Sequence, residues 1–193
     1  MANKILLTEM DDTPPQIAFA NFAGDFAPGA NNDLRKGIDI QGELVLLNLL
    51  NATAVQSAKV DLGVNFANEY LVVALIEMQV AAATAGSVVE FYWNSSSSAT
   101  PAVGNMGAAT GVSGAYSGYS SDLADAVKQL IDAGIMTMTD DAVDSAQIGV
   151  GGVFRPLNRY GSLVVKNETG QTICDTDDIE AHVVLIPIIP EVQ

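Results

Sequence analysis

Hydrophobic side chains occupy every second position over several stretches of the chain after residue 37. In residues 70–82 the alternating positions are Val72, Ala74, Ile76, Met78 and Val80. In residues 87–93 they are Val89, Phe91 and Trp93, and in residues 43–50 they are Val45, Leu47 and Leu49. Side chains two residues apart lie on one face of a strand, so this alternation predicts half-buried β-strands.

The remaining strand-like stretches are short and are separated by Gly, Pro, Asn or Asp. They cover residues 55–64, 135–139, 147–154, 162–167 and 179–189. Gly86, after Ala85, predicts a tight turn that joins two antiparallel strands, and the glycines at 149–152 predict a bulge. Pro187 and Pro190 lack an N–H group, so we expect the last strand to lie at a sheet edge or to end near Ile186.

Residues 122–133 form the one segment with a helical pattern. Ser121 is placed to cap the start of this helix, and Gly134 to adopt a left-handed conformation after its end. Most strands therefore have no crossover helix between them, which favours an antiparallel arrangement. The predicted fold is all-β: an antiparallel, jelly-roll-like β-sandwich with one short helix and an extended N-terminal arm.

Residues 1–37 differ from the sandwich domain predicted for residues 38–193. Proline, glycine and asparagine interrupt this segment, which nevertheless contains Ile17, Phe19, Phe22 and Phe26. Each large apolar side chain left in water forfeits roughly 1.5 to 3 kcal/mol. We therefore expect an arm that packs on its own domain or on a neighbour; the alternative is a loose tail.

A long loop at residues 94–121 separates the strand that contains Trp93 from the predicted helix. No charged residue occurs between Glu90 and Asp122, and serine and glycine are frequent. The loop contains Met106, Tyr116 and Tyr119, and long loops in compact domains are commonly either functional or disordered. These residues indicate an ordered loop at a subunit or partner contact, and a mobile surface loop is the alternative.

Composition excludes several classes of protein. The chain has 193 residues, which suits one domain, and 49% of them are hydrophobic, which excludes a disordered chain. No apolar stretch reaches the roughly 20 residues of a membrane helix. The net charge of -15 would repel nucleic acid and anionic membranes. A single cysteine and no secretion signal favour synthesis in the cytoplasm.

The sequence contains no recognisable catalytic or metal-binding motif. His182 is the only histidine and lies in a predicted strand, and Cys174 stands beside Asp175, which disfavours a reactive thiolate. The acidic groups at 140–144 and 175–178 lack the spacing of a calcium loop, so solvated turns are the simpler interpretation. We expect no catalytic residue, no metal and no cofactor.

Five phrases of the sequence together resemble a family of tailed-bacteriophage virion proteins. They are 32–37 (NDLRKG), 57–63 (SAKVDLG), 90–93 (EFYW), 159–167 (RYGSLVVKN) and 186–191 (IPIIPE). The resemblance implies a head decoration, or cement, protein with a jelly-roll-like sandwich, found as a homotrimer on the outer capsid surface. Its partner would be the major capsid protein lattice, and it would have no catalytic residues. The N-terminal arm matches this family least.

Two other functions are compatible with the same fold. A carbohydrate-binding module would stack Tyr92, Trp93, Tyr116 or Tyr119 on sugar rings. A tail or neck component of the same virion would differ only in its location. For the leading hypothesis, the residues expected at a partner contact are Ile17, Phe19, Phe22, Phe26, Met106, Tyr116 and Tyr119.

Overall fold

A computed structural model describes residues 16–22, 26–35, 37–119, 122–140 and 145–189. Their regular secondary structure is mostly β-strand, with one short helix, and the strands form two sheets that are consistent with an all-β sandwich. The strands are β1 Ile17–Ala20, β2 Ile40–Glu43, β3 Ala54–Gln56, β4 Val60–Asp61, β5 Glu69–Met78, β6 Val88–Ser96, β7 Gly114–Ala115, β8 Ile131–Thr137, β9 Ser145–Phe154, β10 Tyr160–Glu168 and β11 His182–Ile188. The helix is α1 Leu123–Ala126, and a 3-10 turn follows it at Val127–Gln129.

The two sheets differ in strand order. The first has five strands in the order β2-β1-β11-β5-β9, and the second has six, β7-β3-β10-β6-β8, with β4 beside β10. Neighbouring strands are antiparallel except β1 and β2, which are parallel. From β8 onward, consecutive strands alternate between the sheets, so the core is assembled from distant parts of the chain.

Period-two alternation correctly predicted the facing sides of β5 and β6. The inward residues of both strands are fully buried: Val72, Ala74, Ile76, Met78, Val89, Phe91 and Trp93. Trp93 packs on Phe154 with ring centroids 5.3 Å apart. A Cβ atom at Gly161 would collide with the indole ring, so glycine at this position lets β10 pass close beneath Trp93. The predicted glycine bulge is also confirmed, because the register of β9 against β5 shifts between Leu71 and Val73.

The strand predicted at residues 43–50 is wrong beyond Glu43. The backbone N–H groups of Leu46 and Leu47 each donate to Asp178 Oδ2 at 3.2 Å instead of to a neighbouring strand. This changes the buried set: Leu44, Leu46 and Leu49 are buried, and Leu47 is exposed. A side-chain acceptor that is distant in sequence has replaced the strand ladder.

The hairpin predicted at Gly86 is also wrong. Gly86 does lie in a turn with φ of 79°, but β5 and β6 belong to different sheets. The turn is held by Gly86 N–H, which donates to the carbonyl of Met138, and by Met138 N–H, which donates to Ser87. The segment between β5 and β6 therefore crosses from one sheet to the other, and Val80 in it is exposed.

The predicted helix 122–133 is shorter than its pattern indicated. Asp122, whose carboxylate accepts from Ala124 N at 2.9 Å, caps α1; the proposed cap Ser121 lies outside the described residues. Leu130 is already extended, and the chain then pairs with β6 as β8. Gly134 lies within β8 at φ of 103° and packs on the backbone of Gly151 and Gly152. Sheet pairing has overridden the helical periodicity.

Of the two alternatives that Pro187 and Pro190 predict for the last strand, the edge position is wrong, whereas an end near Ile186 agrees with the structure. β11 is between β1 and β5, and it extends to Ile188. Its described pairing with β1 covers only Val183–Leu185, whereas Pro187 lies beyond it, opposite Tyr70. The missing N–H therefore interrupts none of these described bonds to β1.

Residues 17–20 are part of the sandwich and not of a separate arm. β1 pairs with β11 and β2, and Ile17 and Phe19 are 1% and 0% exposed in the main core. The division predicted between residues 37 and 38 therefore does not describe β1, because the sheet needs these side chains for its own packing. Residues 1–15, 23–25 and 36 lie outside the described residues.

Candidate interaction surface

The structure does not bring the predicted contact residues together at one site. Ile17, Phe19 and Tyr116 are buried in the chain's own packing, so a contact role that needs them accessible does not fit. Met106 and Phe26 are half-buried, whereas Phe22 and Tyr119 are 54% and 78% exposed. Burial also places Trp93 and Tyr116 out of reach of a sugar ring, which removes two of the four stacking residues considered for a carbohydrate-binding module.

The long loop packs on the outer face of the second sheet. Its buried cluster consists of Ala54, Ala109, Tyr116, Ala126, Val127, Leu130 and Val164, with Tyr92, Met106 and Leu123 packed against it. The Tyr116 hydroxyl donates to the carbonyl of Gly107 at 2.8 Å. β7 pairs with β3, which joins the loop to the sheet edge. The described part of the loop is thus ordered on its own domain.

Lys59 supplies the charge that the loop itself lacks. Its Nζ lies 2.8 Å from Ser96 Oγ and 3.0, 2.7 and 2.9 Å from the carbonyl oxygens of Ser98, Thr100 and Val103. Burial lowers the pKa of Lys59, while the surrounding oxygens favour its charged form. The ammonium group therefore organises the first turn of the loop. The sequence of the loop alone does not predict this contact, because Lys59 lies outside residues 94–121.

Neutral amide side chains fix the rest of the loop. Asn94 Oδ1 accepts from Met106 N at 2.7 Å, and Asn105 Nδ2 donates to the carbonyls of Pro101 and Ala109 at 2.6 and 2.8 Å. Gln56, on β3, donates to Thr110 Oγ1 and accepts from Thr110 N. These bonds satisfy backbone groups of the loop and so favour one defined conformation, although Asn105 Oδ1 is itself buried without a hydrogen-bond partner in the described part of the chain.

The outer face of the first sheet exposes a continuous hydrophobic surface, which we call the apolar face. Ile148, Val150 and Val153 of β9 are 49%, 56% and 50% exposed. Pairing places Val153 and Val150 beside half-buried Leu71 and Val73 of β5, and Leu71 in turn lies opposite half-buried Ile186 of β11. Ile148 lies opposite Leu75, which is fully buried. The full set is Leu71, Val73, Ile148, Val150, Val153, Ile186 and Ile188. Contiguous surfaces of this type commonly mark sites of interaction.

Inward glycines explain why β9 directs its hydrophobic side chains outward. A Cβ atom at Gly149 would meet Met136, and one at Gly151 would meet Phe91, so the core has no room for side chains at these inward positions. The outward positions carry Ile148 and Val150 instead. Sequence reasoning missed this surface because it assumed that the hydrophobic set of an alternating strand faces the core. The sequence does contain a sign of this surface, because glycine alternates with Ile and Val over residues 148–151.

A shallow pocket of about 300 Å³ lies at one end of the apolar face. Asn68, Glu69, Arg155 and Ile188 line it. Arg155 has no ion-pair partner among the described residues, whereas Arg35, Lys128, Arg159 and Lys166 each pair with a carboxylate. The rim of the face therefore offers a guanidinium group to a partner.

A second feature of this sheet is a strap, which we define as residues 26–35, lying along the approach to β11. Gly29 N and Asn32 Nδ2 donate to the two carboxylate oxygens of Glu180 at 2.7 and 2.9 Å. Leu34 N donates to His182 Nε2 at 3.0 Å. His182 is fully buried, and burial lowers its pKa. The histidine is thus a structural acceptor in this structure.

Two of the acidic groups near residue 175, Asp177 and Asp178, have structural partners, whereas Asp175 Oδ1 is buried without a hydrogen-bond partner among the described residues. The buried Asp178 carboxylate accepts from Asn21 Nδ2 at 3.1 Å and from two backbone N–H groups. Burial raises the pKa of Glu77 to about 7. Burial also raises the pKa of the Cys174 thiol well above its usual value. In the described part of the chain, no group of three or more His, Cys, Asp or Glu side chains is arranged to hold a metal ion.

Comparisons with known proteins do not identify this chain. No protein-family model, curated protein or solved structure matches it. Within the described ranges, no helix has the length and hydrophobicity needed to cross a membrane. The function must therefore be argued from the apolar face, the ordered loop and the charge of the chain.

Proposed function

We propose that this protein is a non-enzymatic structural protein of a bacteriophage virion that binds the outer surface of the capsid as a decoration protein. The observation that carries the proposal is the apolar face, which leaves three aliphatic side chains of β9 about half exposed. The sequence resemblance to virion decoration proteins supplies the capsid as the partner. An acidic chain of net charge -15 suits the outside of a shell that encloses DNA.

The energy available at the apolar face suits a multivalent contact. Burying the exposed half of Ile148, Val150 and Val153 contributes about 1 kcal/mol each, or about 3 kcal/mol for the three. Such a contribution is modest for one copy, but a symmetric oligomer that engages several lattice sites gains avidity without new contacts. We therefore propose a homotrimer on the capsid lattice, with the jelly-roll form of the sandwich. The alternation of strands between sheets after β8 supports that form.

The proposal is tested by co-sedimentation with phage heads that lack this protein. The variant V150Q/V153Q removes hydrophobic side chains from the apolar face, and V64Q/V112Q is its matched control, because Val64 and Val112 are at least as exposed but lie elsewhere. We expect the wild type and the control to sediment with heads, and V150Q/V153Q to lose most of its binding. Sedimentation of all three proteins to the same extent, or of none, would contradict the proposal.

The location within the virion needs a separate measurement. A tail or neck component would use the same surface chemistry, so binding alone does not separate it from a head protein. Electron microscopy of particles labelled with an antibody to this chain gives the position directly. Label over the whole head supports decoration, and label confined to the tail or neck replaces it with the alternative.

A further inference from the structure

The strap is fixed to the approach to β11 by four described hydrogen bonds, and three of them are accepted by two titratable side chains, Glu180 and His182. Ala27 N donates to the carbonyl of Ile179 at 2.9 Å, next to the Gly29 and Asn32 bonds to Glu180. At the far end, Leu34 N donates to His182 Nε2 at 3.0 Å. The far end of the strap therefore depends on the protonation state of His182.

The hydrogen bonds of His182 define its tautomer. Nδ1 lies 2.6 Å from the carbonyl oxygen of Glu180, which can only accept, so Nδ1 carries the hydrogen. Nε2 faces the N–H group of Leu34 and must therefore offer its lone pair. The neutral imidazole satisfies both partners. A second proton on Nε2 would place two N–H groups against each other and abolish the Leu34 bond.

The groups around His182 act on its charge in opposite directions. Burial disfavours the imidazolium, as does the Arg35 guanidinium, whereas Asp33 and Glu180 favour it. Phe26 packs edge-on against the imidazole at 5.3 Å, and Arg35 lies 4.7 Å above the Phe26 ring. On β5, the Glu77 carboxylate accepts from Glu180 N at 3.3 Å. Burial is the largest influence, so the pKa of His182 is lowered.

We propose that His182 is a proton-operated latch whose protonation releases the strap, residues 26–35, from the approach to β11. His182 lies opposite Leu75, and Leu75 lies opposite Ile148 of the apolar face, so the latch lies on the same sheet as that surface. The latch requires only the described contacts and is independent of capsid binding. It provides the chain with a conformational change that responds to mild acid.

The sign of the pH dependence follows from linkage. The pKa of His182 is lower with the strap docked than with it released, where the value returns toward 6.5. The released state therefore binds more protons, and docking weakens as the pH falls through 6.5 toward the docked-state pKa. In that window the opening equilibrium rises by up to about tenfold per pH unit.

The single histidine makes the test direct. Because the chain has one histidine, the Cε1–H signal of its imidazole in the NMR spectrum reports the titration of His182. Hydrogen exchange of the backbone amides, corrected for intrinsic rates, reports the docking of residues 26–35. Between pH 7.5 and 5 we expect the strap's protection factor to fall by up to about tenfold per unit, while β6 keeps its protection. Protection of the strap that stays constant while the imidazole titrates would overturn the proposal.

The variant His182→Gln tests whether protonation of the histidine, and not of a nearby carboxylate, releases the strap. Glutamine places an acceptor oxygen near the position of Nε2 and does not titrate, so the strap should stay protected at pH 5. Loss of protection in H182Q with the wild-type midpoint would assign the release to Glu180 or Glu77 and overturn the proposal. If H182Q does not fold, the wild-type comparison of imidazole titration with strap exchange still decides, because a release that does not follow the imidazole titration contradicts the latch.

Discussion

Replacing Lys59 with methionine tests whether one lysine from outside the long loop determines the loop's conformation. The substitution keeps the hydrophobic stem of the side chain and removes the ammonium group that contacts Ser96, Ser98, Thr100 and Val103. We expect K59M to fold with the same sandwich core, because the core does not contain Lys59. The first turn of the loop should lose its order.

The magnitude follows from the number of bonds and the cost of burial. An ammonium group has three hydrogens, so at most three of the four oxygens at 2.7 to 3.0 Å receive a strong bond at one time. Hydrogen bonds to charged groups contribute about 1.5 to 3 kcal/mol each, but desolvation of the ammonium offsets part of this sum. We therefore expect K59M to lower the free energy of unfolding by about 2 to 4 kcal/mol.

Urea denaturation followed by Trp93 fluorescence measures this loss, because the chain contains a single tryptophan and it is fully buried. Limited proteolysis within residues 97–113 gives the local readout. The matched control is K128M, since Lys128 forms an ion pair with Asp125 at an exposed position, and an exposed pair of this kind contributes little to stability. Equal stability of K59M and K128M, with unchanged proteolysis of the loop, would refute the role assigned to Lys59.

Three further predictions concern the core and its buried groups. The pKa of Glu77 is raised from 4.5 to about 7, so the wild type loses stability as the pH rises from 4.5 to 7 and this carboxyl group ionises. The free energy of unfolding of E77Q should therefore exceed that of the wild type by up to about 3 kcal/mol at pH 8 and by almost nothing at pH 4.5. A gain that does not depend on pH would contradict this prediction. In denaturant titrations, G161A should destabilise the fold by more than about 3 kcal/mol because its methyl group meets the Trp93 ring. G63A is the control: a methyl group there would enter open space, but φ is 90°, so backbone strain alone should cost about 1 kcal/mol. Iodoacetamide should modify the fully buried Cys174 only at the rate of unfolding, and rapid labelling of the native protein would disprove its burial.

Strand positions could be predicted where alternation and burial coincide. In β5 and β6 the inward residues are large and hydrophobic, and the core lies on the side that the pattern indicates. Alternation alone would not have oriented β9, where Gly149 and Gly151 face the core and Ile148 and Val150 face outward. Close approach of Met136 and Phe91 to the β9 backbone determines this orientation, and neither contact can be read from the local sequence.

Predictions about connections failed because sheet partners are chosen by contacts between distant residues. The helical periodicity of 122–133 ends at Leu130, since pairing with β6 satisfies the backbone from Ile131 onward. Likewise, Leu46 and Leu47 donate to Asp178, more than 130 positions away, and this bond ends the strand predicted for 43–50. Local propensity is a weak guide wherever a distant acceptor or strand edge competes for the same backbone groups.

The uncharged composition of residues 91–121 has a structural explanation in the outer face of the second sheet. A loop that carried its own lysine or aspartate against Tyr116, Leu130 and Val164 would bury a charge beside hydrophobic side chains, which is costly without a partner. The amides of Asn94, Asn105 and Gln56 satisfy the loop backbone without charge. Lys59 lies outside the loop, between β3 and β4. The carbonyl groups of Ser98, Thr100 and Val103 and the hydroxyl of Ser96 stabilise its ammonium group. The loop sequence is therefore explained by packing on its own domain, and the apolar face of the first sheet remains the surface available to a partner.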